Sequence, residues 1–398
     1  MWSRVWQVAC HEQEIAHVGD HHVYDVGTRS FLIVRVSETE LKAYYNACLH
    51  RGTKLKECAG NAAQIRCPFH GWTWNIDGTL RHIPAAWDFP QVQPESFGLI
   101  EVRVGVWGGF VFICPDPDAP SLEQWLDPLP EHFARMPYED RQLVVHVRRV
   151  VPSNWKVAQE AFIESYHVPT THPQNAMNTN DLDTQYDVLS DNVSRMITLI
   201  GVPGPSVDYE IDEQEILDSL AEGSGMAGPD GKPLQLGDAD TARQVLAGLA
   251  KMMWVQNAGI DAAELAAYDL IDGIEYSVFP NFSPWCGLGI PFAYTFRPFG
   301  NDPDRSVWDI WVLWPKAPGA EARPAPPIRE VADGESYASV PELAWVGQLF
   351  DQDMENLGRI QAGLKTLPKG VTMSAYQESR IRHHHHRLEG YLNEPAGE

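Results

Sequence analysis

Two short loops, Cys48-Leu49-His50-Arg51-Gly52 and Cys67-Pro68-Phe69-His70-Gly71-Trp72, each carry one thiol and one imidazole. A single tetrahedral zinc is usually held by like pairs, Cys with Cys and His with His. The mixed pairing here suits a binuclear iron–sulfur cluster in which one iron takes both thiolates and the other both imidazoles, which raises the reduction potential above that of an all-Cys cluster. Gly52 and Gly71 allow tight turns beside such a cluster, and Pro68 stiffens the second loop. A structural zinc site of two Cys and two His is the competing reading.

With 398 residues, 44% apolar and 21% charged, the chain has the length and composition of a soluble globular protein with two cores. It lacks an apolar run of spanning length, and its start lacks a secretory layout, so a cytoplasmic protein off the membrane is expected. Cys10, Cys58, Cys114 and Cys286 are expected as reduced thiols. A net charge of −24 speaks against nucleic acid as a partner. Against it stands a local basic collar, Arg51, Lys54, Lys56 and Arg66 with only Glu57 opposed. Such a collar could steer an acidic electron-donor protein, or be no more than a solvated loop.

β-branched and aromatic runs at Phe31–Val36, Leu41–Tyr45, Trp72–Ile76 and Val102–Ile113, with Asp77-Gly78 and Gly108-Gly109 as turns, predict a small antiparallel domain. The Pro-rich stretch after Cys114 places a boundary near 117, giving domains 1–117 and 118–398. Leu143–Val151 reads as a strand. A helix capped by Ser153 should then run to Tyr166 and stop before Pro169, with Glu160, Glu164 and His167 on one face and His172 beyond its end. Gly223–Pro233 reads as mobile, and a helix over Thr241–Trp254 with Asp240 as cap follows; both are candidates for a lid or pocket wall.

Ile274–Pro315 is dense in aromatic residues and predicts at least three strands, with most rings in the core and some lining an apolar pocket. A last long helix, about Tyr337–Leu364, has Asp353 inside its apolar stripe, where a carboxylate needs a metal, a cation or several donors. His167, His172 and Asp353 together make a two-His, one-carboxylate set of the kind that holds ferrous iron with positions left open. Neither His-x4-His nor one buried Asp says this alone. His383–His386 reads as a solvated helix face, and His21, His22, His82, His132 and His146 as surface or core residues.

Both cluster strings, the Asn154-Trp155-Lys156 segment ahead of the two histidines and the late carboxylate stand in one chain order. In these features the sequence resembles the large (alpha) subunit of the Rieske non-haem iron aromatic-ring-hydroxylating oxygenases. The resemblance covers nearly the whole chain, apart from a shorter N-terminal arm. It implies an α+β protein: an N-terminal antiparallel β Rieske domain, and a catalytic domain with an antiparallel sheet and flanking helices of the helix-grip type. It implies one [2Fe-2S] cluster on Cys48, His50, Cys67 and His70, and one Fe(II) on His167, His172 and Asp353. Asn154 joins the candidate catalytic residues. Glu164 stands where relatives have Asp, as the bridge between the iron His and a cluster His of the neighbouring subunit.

A homotrimer, with or without a beta subunit, is implied, supplied with electrons from NAD(P)H through a ferredoxin or flavin reductase. Dioxygen and a small apolar aromatic substrate, cis-dihydroxylated, complete the expectation. Monooxygenation or oxidative demethylation of an aromatic, alicyclic or quaternary-ammonium compound is the alternative, with Arg297 a candidate clamp for a substrate carboxylate. An electron-transfer protein without catalysis is the reading from another class.

Overall fold

The computed structural model describes residues 1–224, 231–237 and 240–393. Its backbone packs as two units, Met1–Trp125 and the chain from Leu126 onward. The first contains β1 (Gln7–His11), β2 (Asp20–Val26), β3 (Arg29–Arg35), β4 (Leu41–Tyr45), β5 (Gly60–Asn61), β6 (Gln64–Arg66), β7 (Thr73–Asn75), β8 (Leu80–His82), β9 (Glu101–Trp107) and β10 (Phe110–Cys114). A seven-stranded sheet runs β1-β10-β9-β4-β3-β2-β5, beside a three-stranded sheet β6-β7-β8. Each expected run became a strand or a strand pair. Period-two alternation explains how β3 serves two cores. Phe31 and Ile33 face one apolar cluster with Val111 and Ile113. Leu32 and Val34 face another with Tyr44, Trp72 and Trp74, and that second cluster contains Cys48 and Cys67. The two ligand loops are thereby rooted in a hydrophobic core.

The short helices α1 (Leu122–Leu126) and α2 (Leu129–Phe133) lead to the second unit. Its strands are β11 (Arg141–Val151), β12 (Gln185–Val188), β13 (Val193–Thr198), β14 (Gly273–Val278), β15 (Phe282–Cys286), β16 (Phe292–Phe299), β17 (Asp302–Pro315) and β18 (Arg329–Glu330). They form one sheet in the order β12-β13-β14-β15-β16-β17-β11-β18. It is antiparallel throughout except for the parallel edge pair of β11 and β18. Its helices are α3 (Trp155–Glu160), α4 (Val168–Thr171), α5 (Glu213–Ser224), α6 (Ala242–Ala258), α7 (Ala267–Leu270), α8 (Ala344–Thr366) and α9 (Ser379–Asn393). Phe350 of α8 packs against Tyr294 of β16 and Trp308 of β17, so α8 lies across the sheet. Among the described residues no helix is long and apolar enough to cross a membrane.

Local structure departs from the sequence reading in several places. Asn154, not Ser153, caps α3, accepting from the Lys156 N–H at 3.2 Å. That helix ends at Glu160, and Ala161–His167 follow without regular structure. Pro169 does not end a helix but sits in the first turn of α4, where the missing N–H has no partner to lose. Glu160, Glu164 and His167 therefore share no helix face; Glu160 pairs with His385 at 2.7 Å.

Thr241, not Asp240, caps α6 through a capping box with Gln244, while Asp240 accepts from the Gly237 N–H. The stretch expected to be mobile, Gly223–Pro233, falls largely outside the described residues. Two 3-10 turns, Tyr337–Ser339 and Pro341–Leu343, occupy the predicted start of α8. At its far end Ile360 and Leu364 are exposed.

The His383–His386 run is no solvated face. Ile381, His384 and Leu388 follow helical spacing and turn inward with Arg380. His384 lies between the rings of Trp155 and Phe279. Burial, aided by His385, His383 and Lys156, lowers its pKa from 6.5 to about 3. The unfolded chain thus takes a proton below pH 6.5 that the folded chain refuses until about pH 3, and stability falls as pH drops through that window. His384→Phe should remove this loss. In urea unfolding, the stability of the variant relative to the parent should rise by about 2 kcal/mol between pH 7 and pH 5.

Candidate metal centres

The two loops of the first unit repeat one geometry. The Cys48 N–H donates to the Thr53 carbonyl at 2.8 Å and the Gly52 N–H to the Cys48 carbonyl at 2.8 Å. In the second loop, the Cys67 N–H donates to Trp72 at 2.8 Å and the Gly71 N–H to Cys67 at 3.1 Å. Both glycines sit in the left-handed region, φ +76° and +77°, which closes the turn and which a side chain would strain. The turns aim backbone N–H groups at sulfur. Those of His50 and Arg51 bond Cys48, and those of His70 and Phe69 bond Cys67.

Burial raises the Cys48 pKa. At Cys67 burial acts in the same sense, but these N–H donors, with Cys48 and Thr53, bring it below its ordinary value. The two sulfurs lie within hydrogen-bond contact of each other. On the outer side the His50 and His70 ring centroids are 4.6 Å apart, and Trp72 stacks on His50 at 5.3 Å and 4°. The thiols are buried and His70 is exposed, so the quartet runs from the core to the surface. Of the basic collar, Lys54 is paired with Asp25 at 3.0 Å and Glu57 at 3.5 Å, which weakens it as a field.

In the second unit His167 and His172 flank α4, and α8 presents Asp353 to them. Their ligand atoms all lie within 4.8 Å of one another. His172 Nε2 is 3.1 Å, and His167 Nε2 3.7 Å, from Asp353 Oδ1. The outer nitrogens are tied: His167 Nδ1 lies 2.5 Å from Glu164 Oε1, and His172 Nδ1 lies 2.9 Å from Gln352 Oε1. Both contacts require Nδ1–H, which leaves each Nε2 lone pair turned to the common point. The other Glu164 oxygen accepts from the His167 backbone N–H at 3.0 Å. Burial works against a charged His167, but the Glu164 and Asp353 carboxylates outweigh it and raise its pKa. The field that favours a proton there also favours a divalent cation.

Asn154 is engaged as a structural joint. Beyond capping α3 it donates through Nδ2 to the Pro303 carbonyl and through its backbone to Gln361 of α8. Arg297 is not an open clamp, because its Nε donates to Asp309 at 3.3 Å. Burial would raise Asp309, but Arg148, Arg297 and His146 hold it far below the usual carboxylate range. Gln352 was not among the residues picked from sequence; its one signal is its place beside Asp353 on the same helix.

The family model for the ring hydroxylating alpha subunit (catalytic domain) matches residues 131–394, and that for the Rieske [2Fe-2S] domain matches 5–93. The chain belongs to the ring-hydroxylating alpha-subunit family. It is 31% identical over 179 residues to the carnitine monooxygenase oxygenase subunit of Escherichia coli K12, covering 44% of this chain and 47% of that one. It is 30% identical over 178 residues to the chlorobenzene dioxygenase alpha subunit of Cupriavidus sp., covering 43% and 40%. The chain thus spans about half the length of the curated relatives it matches. A crystal structure of the quaternary ammonium Rieske monooxygenase CntA shares the fold, with TM-score 0.66 and 18% identity over 98% of this chain and 89% of that one.

The donor sets fit the groups this family carries, a [2Fe-2S] cluster and a mononuclear iron. The buried His50 Nδ1 has no hydrogen-bond partner among the described residues, as suits a nitrogen meant for a metal. The thiol pair is cradled by backbone N–H groups, and the triad has both outer imidazole nitrogens fixed. Asp353→Ala should lower iron from about three to about two per chain and leave the cluster absorption unchanged, as metal analysis and visible spectroscopy would show.

Proposed function

We propose that this chain is a terminal oxygenase component in which Cys48, His50, Cys67 and His70 would hold a [2Fe-2S] cluster and His167, His172 and Asp353 a mononuclear iron. The observation that carries the reading is the triad: two imidazoles and one carboxylate whose ligand atoms converge from α8 and the ends of α4. When bound, the cluster and the ferrous centre supply electron transfer and dioxygen chemistry. The chain's own residues do the rest. Glu164 accepts from His167 Nδ1–H and keeps lone pairs for the imidazole N–H of a neighbouring copy's cluster, so a ring of copies, a trimer, would join the two sites. Gln352 keeps His172 in one tautomer. Exposed His70 and Arg51 form the face on which a ferredoxin or flavin reductase, drawing on NAD(P)H, would dock.

Phe162, Tyr294, Trp308 and Phe350, the last on the same helix as Asp353, pack on one another as one buried aromatic cluster. Ring faces suit two substrate classes. A quaternary-ammonium compound held by cation–π contact comes first, supported by the similarity to the carnitine enzyme and to CntA. Hydroxylation of an apolar ring comes second, supported by the chlorobenzene dioxygenase similarity.

The test combines electron paramagnetic resonance of the dithionite-reduced protein with single-turnover oxidation of choline, carnitine and chlorobenzene. A Rieske-type signal with oxidation of choline is expected, and His167→Ala should keep the signal and lose the oxidation. Zinc in place of iron, or turnover surviving in His167→Ala, would refute the assignment.

A further inference from the structure

The segment that carries Glu164 has neither helix nor strand to hold it, since Ala161–His167 lie outside regular structure. Its two neighbouring peptides are gripped instead from elsewhere in the fold, one directly by α9 and the other by Tyr186 of β12. On one side Arg380 of α9 donates from Nη1 to the Ile163 carbonyl at 3.2 Å. The same guanidinium bonds Glu275 Oε2 of β14 at 2.5 Å and Ser194 Oγ of β13 at 3.1 Å. On the other side the Ser165 N–H donates to the Tyr186 hydroxyl at 3.0 Å, and that hydroxyl donates to Gln377 Oε1 at 3.4 Å. Gln377 is fixed in turn, donating to the Leu182 carbonyl at 2.8 Å.

The side chains of Arg380 and Glu275 are both fully buried. A buried ion pair is commonly no more stabilising than apolar residues of the same volume, because desolvation offsets the Coulomb gain. What it does supply is a fixed geometry. Here the geometry ends on a backbone carbonyl adjacent to Glu164.

We propose that α9 is a clamp for the Glu164 segment, with Arg380 as the positioning residue that sets where the Glu164 carboxylate stands relative to His167. The clamp concerns the site read above as an oxygenase, and its consequence for electron transfer rests on that reading. The holding of the segment does not. Arg380 touches neither His167, His172 nor Asp353 and acts on them through the Ile163 carbonyl alone.

Hydrogen exchange followed by mass spectrometry on the metal-loaded full chain tests it. Arg380→Met alone would leave Glu275 buried and unpaired, so Arg380→Met is combined with Glu275→Gln, beside Arg380→Lys and Gln377→Ala. In the folded double variant, peptides over 161–168 should exchange about tenfold faster while β16 and β17 keep their protection. Arg380→Lys should restore most of the protection, because an ammonium can still serve Glu275 and the carbonyl. Ferrous iron should pass to a chelator about fivefold faster, since His167 is oriented by Glu164. Unchanged exchange over 161–168, or a rise spread evenly across the sheet, would overturn the clamp.

Glu164→Gln separates the clamp from the bridge. If Glu164→Gln transfers electrons from cluster to iron at the parental rate while the double variant still loosens 161–168, the bridge is refuted and the clamp stands.

Discussion

The carboxylate of Asp353 sits in the buried face of a helix, where an ionised group without partners would be expelled or neutralised. It is tolerated because two imidazoles meet it, and the second unit can be understood as the scaffold that brings them there. Aromatic packing between α8 and the sheet fixes the height of Asp353, through Phe350 against Trp308 and Tyr294. The Pro-started turn of α4 places His167 and His172 at its two ends. Beyond the ligands, Glu164 and Gln352 hold the outer nitrogens, so that both rings offer the lone pair and not the hydrogen. Remove the convergence and each element has a reason to pack differently.

The first unit solves a related problem by repetition. Two loops with the same hydrogen-bond closure and the same left-handed glycine put two thiols under backbone N–H donors and two imidazoles outward. The core beneath them is built from the alternate face of β3 together with Trp72 and Trp74. Because Trp72 belongs both to that core and to the second ligand motif, and stacks on His50 of the first loop, the loops are locked to each other and to the sheet. Rigid ligand placement is what a redox centre needs if it is to change charge with little rearrangement.

Charge is handled differently inside and outside. The chain carries −24 overall, yet several of its buried carboxylates meet cations: Asp309 meets Arg148, Arg297 and His146, Asp272 meets Arg243, and Glu275 meets Arg380, while Asp181 accepts from the Ser206 hydroxyl and the Leu182 N–H. Arg297 is engaged in one of these internal pairs, with Asp309.

By itself the sequence determined the candidate donor residues and much of the first unit. Mixed Cys and His spacing, two turn glycines and period-two strands are local features, dictated within a few residues, and all of them were legible. Asp353 was legible too, because a carboxylate breaking an apolar stripe is visible from periodicity alone. What only the tertiary structure decided were matters of partnership. Propensity favoured one helix from Ser153 to Tyr166, but long-range partners hold the middle of that stretch out of helix, Arg380 at the Ile163 carbonyl and Tyr186 at the Ser165 N–H, while Asn154 takes the cap. The His383–His386 run reads as polar, and its inward turn depends on the rings of Trp155 and Phe279, distant in the chain. Spacing can state which groups are able to bind a metal. Glu164 is a local partner of His167, but Gln352 reaches His172 across 180 residues and Arg380 reaches Ile163 across 217, and only the folded chain makes those contacts.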